Sequence, residues 1–196
     1  MTNPQKRFFD RSPAWSAKLQ RVYFARAESA RLGGMGGITG ATYDIYSARL
    51  DGTGVRRETS GNYYSVALSP QAIAGATLYF VATSVHADEG VLMSLSLKTK
   101  ALQPKIGVKA LAVSVSPDGS KLLLESPPGY YSLSLLDLAS GSQRAGENPG
   151  DSYISQALFS PSGESVLILE DKNRDGHFSI LRKSVRGGTE STVFQF

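Results

Sequence analysis

Asp171, Asn173 and Asp175 occupy alternate positions of the stretch Asp-Lys-Asn-Arg-Asp-Gly-His, residues 171–177, with a glycine where a sharp turn would fall. Oxygen side chains at positions 1, 3 and 5 of such a loop, helped by the His177 carbonyl, can wrap a hard cation, so the spacing predicts a weak calcium site. The match stops halfway. Position 12 is Arg182, not the bidentate glutamate that completes an EF-hand, and the residues after the loop read as strand. The competing expectation is that Asp-Gly simply closes a hairpin.

Other chemistry is sparse. The chain has two histidines, His86 and His177, and no cysteine. A disulfide framework and a thiolate zinc site are thereby excluded. Any Ser-His-Asp triad must use one of the two histidines, both in loop-like stretches, and neither a G-x-S-x-G elbow nor an H-E-x-x-H helix occurs. Asp88 or Glu89, paired with Asp171 or Asp175, are the acids that would flank a glycosidic bond in a carbohydrate-active alternative. The glycine run Gly-Gly-Met-Gly-Gly-Ile-Thr-Gly, residues 33–40, precedes a strand pattern and opens no helix. It reads as a surface loop and not as a phosphate cradle.

These residues need a scaffold, and its signature is a repeat. Serines 16, 69, 116 and 160 each sit in a small-residue turn, at separations of 53, 47 and 44 residues. The copies are AWSAKLQRVYFA, ALSPQAIAGATLYFVA, VSPDGSKLLLE and FSPSGESVLILE. Each is followed by an alternating run (YDIYSARL, VLMSLSL, YSLSLLDL, FSILRKSV), a polar turn and a short fourth segment. Period-two alternation predicts strands with one buried face, four to a unit. Four-stranded units of 40 to 50 residues that must cover each other's faces make a β-propeller. The expected units are about 11–62, 63–109, 110–150 and 151–196, with residues 1–10 as an N-terminal extension. Trp15, Tyr23, Phe24, Tyr46, Tyr79, Phe80 and Phe159 fall on strands, where blade packing uses bulky side chains.

The residues YDIYSARLDGTGVRRET followed by YYSVALSP, and VSVSPDGSKLLLES followed by YYSLSLLDLASGSQ, resemble the TolB-type (WD40-like) propeller repeat, which runs from a Ser-Pro-Asp-Gly turn to an Asp-Ile-Tyr strand. The resemblance extends from about Arg11 onward. It departs at Ala17, where proline is expected, and at Val-Arg-Gly-Gly, residues 185–188, where the acidic turn is lost. It implies an all-β fold of four four-stranded antiparallel blades, as a small closed ring or as half or a fragment of a larger propeller. It also implies a non-catalytic component of the cell envelope that recognises an extended protein segment. An accessory propeller of a larger hydrolase, of the prolyl oligopeptidase kind, is the further alternative.

In such a fold the irregular b-to-c and d-to-a loops share one end. That end, or the central channel, is where a protein or peptide partner is expected, through His86, Asp88, Glu89, Tyr63, Tyr64, Tyr130 and Tyr131. Residues 1–60 carry ten Lys/Arg against five acids within a net charge of +4, but no basic block or interleaved aromatics. A nucleic-acid partner is therefore not expected. No apolar run is long enough to span a membrane. The start has basic residues but no apolar core behind them, so the chain is periplasmic if a leader was removed and cytoplasmic if Met1 is native. An incomplete ring would form a homodimer.

Overall fold

In a computed structural model, residues 8–28, 31–32, 38–39, 42–84, 90–126, 132–145, 152–188 and 190–196 are described, and every regular element among them is a strand. Serine hydroxyls explain why the turn recurs. Ser116 Oγ accepts the Lys121 N–H at 2.9 Å and donates to Asp118 at 2.6 Å, while Gly119 takes the left-handed φ of 73° that the reversal requires. Ser160 and Gly163 repeat the device in the fourth unit, with the Ser165 N–H on Ser160 Oγ at 3.2 Å. A hydroxyl that pairs a backbone donor inside a tight turn starts each sheet locally.

Four sheets follow. The first runs β1 (Phe8–Ser16), β2 (Arg21–Glu28), β5 (Tyr43–Arg49) and β6 (Arg56–Arg57), with β3 (Arg31–Leu32) and β4 (Ile38–Thr39) paired as a separate ribbon. Its strand β4 lies inside the glycine run and pairs with β3 just before it, so the expected plain loop contains a short paired segment. The second comprises β7 (Ser65–Ala67), β8 (Ile73–Ala74), β9 (Thr77–Thr83), β10 (Gly90–Ser96) and β11 (Leu102–Ala110). The third comprises β12 (Ala112–Val115), β13 (Lys121–Ser126), β14 (Ser132–Asp137) and β15 (Gln143–Ala145). The fourth comprises β16 (Tyr153–Phe159), β17 (Ser165–Asp171), β18 (Ser179–Ser184) and β19 (Glu190–Gln195). Each is an antiparallel blade, and together they form a four-bladed β-propeller. The first strand begins at Phe8, a little before the expected unit boundary at Arg11.

One expectation changes. Strands of the inner blades bury both faces, not one, because each blade is covered on two sides. On β9, Leu78, Phe80 and Ala82 pack toward the first blade, whereas Tyr79 and Val81 pack toward the third. Strand β5 of blade one is likewise buried on both faces from Tyr43 to Ala48, and its polar residues are paired. Asp44 on β5, only 4% exposed, accepts from the Thr59 hydroxyl at 2.7 Å and the Gly61 N–H at 2.8 Å, and it also holds the Arg57 guanidinium. The aspartate of the Asp-Ile-Tyr pattern thus shapes the loop into the next blade.

The second unit also departs from its siblings. Its Ser-Pro turn is longer, which splits the inner strand into β7 and β8 and brings Gln71 under the third blade. Gln71 Oε1 accepts from Ser114 Oγ at 2.8 Å and from the Phe159 N–H at 2.9 Å, and Nε2 donates to the Phe159 carbonyl at 2.9 Å. One side chain therefore ties blades two, three and four at the turn end.

Among the described residues, buried apolar side chains form three clusters, between blades one and two, two and three, and three and four. None joins blade four to blade one. Trp15 is 38% exposed on the free side of blade one, and Phe194 is 58% exposed on blade four.

Candidate functional site

The facing sides of blades three and four follow from strand alternation. On β13, Leu123 and Glu125 point toward blade four; on β17, Val166, Ile168 and Glu170 point toward blade three. Near the axis these sides meet, with Phe159, Ala157 and Ile154 buried between them. Farther out they part. The gap is a groove of about 390 Å³, walled by Leu123, Leu133 and Leu135 on one side and Ile154, Ile168 and Leu181 on the other.

The groove is not electrically blank. Arg144 on β15 donates to the Val185 carbonyl of blade four, strapping the turn end. Lys183 lies on the wall, with its ammonium 3.6 Å from Glu190. Toward the loop end stand Ser152, Glu170 and Lys172. Glu170 is only 5% exposed. Burial raises its pKa, the Glu190 charge adds to the rise, and the Ser152 hydroxyl with Lys172 and Lys183 oppose it only partly. Glu125 enters the same interface from the other blade. Its carboxylate accepts the Ala157 N–H at 3.2 Å, yet burial pushes its pKa up to about 7. Among the described residues neither carboxyl group bonds a cation, and both face one seam, which is uncommon in a purely structural contact.

No family model matches the chain, and no curated protein matches it. Solved structures do. TolB from Acinetobacter baumannii superposes with a TM-score of 0.67 at 13% identity, covering 96% of this chain and 43% of that one. A putative TolB from Agrobacterium tumefaciens gives 0.63 at 13% identity, covering 97% of this chain and 82% of that one. The fold is a TolB-type propeller. A prolyl endopeptidase, in a study of inter-domain dynamics, gives 0.62 at 16% identity, covering 97% of this chain and 30% of that one. The chain spans less than half of the first TolB structure and of the endopeptidase.

Of the residues expected from sequence to contact a partner in this TolB-type propeller, Tyr63 and Tyr64 are among the described residues. Tyr63 is half-buried; its backbone pairs with Tyr43, and its ring meets Phe80 edge-on at 6.0 Å. Tyr64 is 60% exposed beside it. His86, Asp88, Glu89, Tyr130 and Tyr131 lie outside the described residues.

The 171–177 loop is described in full. Asp171 is buried and accepts the N–H groups of Asp175 at 3.1 Å and Gly176 at 2.9 Å. Asp175 accepts the His177 N–H at 3.0 Å, the main cause of its lowered pKa, and Asn173 approaches its other oxygen at 3.5 Å. The acids therefore order the loop through its own backbone, and among the described residues no three His, Cys, Asp or Glu side chains converge as a metal cluster.

Sequence reading passed over Glu125 and Glu170. A signal was present: Val166, Ile168 and Glu170 share one face by period two, so an acid was due to lie on a buried side. The strings KLLLE and VLILE also mislead by looking equivalent. Lys121 and Ser165 occupy the same place after the turn, bonded to Ser116 and Ser160. Counted from there, Glu125 and Glu170 differ by one position and so face opposite ways. That one-residue offset brings both acids into the same interface.

Proposed function

We propose that this propeller is a non-catalytic binding module that holds a protein partner by an extended segment laid in the groove between blades three and four. The observation that carries the reading is the groove itself: an aliphatic slot of about 390 Å³ with charged groups at both ends. That volume lies at the small end of the usual range of about 300–1,000 Å³ for ligand sites, right for a few side chains of an extended segment. The TolB-type likeness supports a protein partner and an envelope setting. Fluorescence anisotropy with short labelled peptides alternating leucine and serine tests it. Binding should be lost in Leu181→Asp and kept in Tyr64→Ala. Equal binding by Leu181→Asp and the unaltered chain would refute the groove as the site.

The likeness to a prolyl endopeptidase supports a second reading, an accessory propeller that admits substrate to a hydrolase. Both readings have the chain alone turning over neither peptide nor glycan substrates. They part on exchange: an accessory gate releases its peptides within milliseconds, whereas a holding module retains them long enough to co-elute on gel filtration.

A further inference from the structure

Resting on the groove reading above, we infer that the segment it accepts is anchored by a lysine or arginine side chain, with its alkyl stem along the slot and its cationic head on Glu170. The argument begins with what the groove already contains. Ile154, Ile168 and Leu181 supply an aliphatic wall, and Glu170 sits among them at 5% exposure. Its carboxyl has the Ser152 hydroxyl as a partner, and burial still disfavours its charge. A buried carboxylate in apolar surroundings rejects a ligand that brings it no donor and favours one that does.

Among the described residues no cation of the groove forms an ion pair with Glu170, although the charges of Lys172 and Lys183 reach it and partly oppose the rise in its pKa. Arg144 is committed to the Val185 carbonyl at the turn end, Lys183 is drawn to Glu190, and Lys172 stands exposed at the mouth. Only lysine and arginine combine a run of methylenes with a terminal cation, so they alone satisfy the wall and the acid at once. A leucine would fill the slot and bring Glu170 no cation. A glutamate would meet like charge.

Four amidated, acetylated six-residue peptides, identical but for a central lysine, arginine, norleucine or glutamate, form the test. On the unaltered chain lysine and arginine should bind at least about tenfold more tightly than norleucine, and glutamate most weakly; tenfold corresponds to about 1.4 kcal/mol. In Glu170→Gln the lysine peptide should fall to the norleucine level while the norleucine peptide is unchanged. Circular dichroism and the thermal midpoint confirm that the variant is folded. Norleucine binding as tightly as lysine, with Leu181→Asp still abolishing both, would overturn the anchor and leave the groove reading intact. No binding by any of the four would overturn both.

Discussion

The contact between blades one and two and the contact between blades three and four have the same architecture and opposite chemistry. In the first, Tyr23, Ile45, Leu78 and Phe80 are all fully buried. Its carboxylate, Glu58, has a side chain 1% exposed and is bonded to the Ser47 hydroxyl, to Arg56 at 2.7 Å and to Lys100 of the second blade. Burial alone would raise the pKa of Glu58. The bonds from Lys100, Ser47 and Arg56 outweigh that cost and hold it below its ordinary value. In the second contact, packing opens into the groove, and Glu125 and Glu170 are both pushed up. The difference teaches where this repeat fold is spent on stability and where on something else. A buried acid with a cation keeps its charge at little cost; one without is pushed toward the neutral form.

The strongest way to break this comparison is to hollow each contact in turn. Phe80→Ala removes a ring with no exposure, and should cost about 3–5 kcal/mol by urea denaturation. Leu181→Ala borders space that is already empty and should cost about 2 kcal/mol, at the low end for its type. Equal losses would mean that the groove closes in solution.

Next in size is the pH response. Glu125 has a folded pKa of about 7 against an ordinary 4.5, so it favours folding below pH 4.5 and loses that contribution as pH rises toward 7. Glu125→Gln should therefore gain about 2–3 kcal/mol over the parent at pH 8 and show no advantage at pH 4. A flat difference between the two pH values would place Glu125 in water.

The first contact should move the other way. Glu58 has a lowered pKa, so its stabilisation is present above about pH 4.5 and lost as pH falls below it. Lys100→Met should cost about 1–2 kcal/mol at pH 7, read by thermal unfolding, with the loss shrinking in acid. Hydrogen exchange at pH 8 and pH 5 would sharpen the contrast: acidification should slow exchange in β13 and β17 relative to β2 and β5.

The smallest effect concerns the 171–177 loop. Its backbone is already organised by Asp171 and Asp175. Millimolar calcium should therefore raise the thermal midpoint by about 1–2 °C at most, and Asp175→Asn should remove the rise. No rise in the parent would leave the loop as a hairpin closed by its own hydrogen bonds.

Much of the scaffold was readable because its determinants are local. The turn serines, the left-handed glycines and the alternating runs act within a few residues, so Ser116, Gly119 and the KLLLE strand announce a blade without any neighbour. The long turn of the second unit was visible as extra residues after Ser69, but nothing near Gln71 reveals that its partners lie at Ser114 and Phe159. The expected contact residues were chosen for being polar or aromatic on irregular loops. That rule selects Tyr64 and passes over Leu181, whose place on a groove wall depends on what stands across the gap.

The sequence by itself determined four antiparallel sheets, their turns and which side chains share a strand face, since period two and turn chemistry are properties of short segments. Only the tertiary structure decided which faces meet, that blades three and four part to leave a groove lined by Glu170, and that Glu125 enters the same interface from the other blade, neither acid bonding a cation among the described residues. Those outcomes depend on burial and charge summed over residues 45 positions apart, and desolvation is set by the assembled surroundings, not by neighbours along the chain.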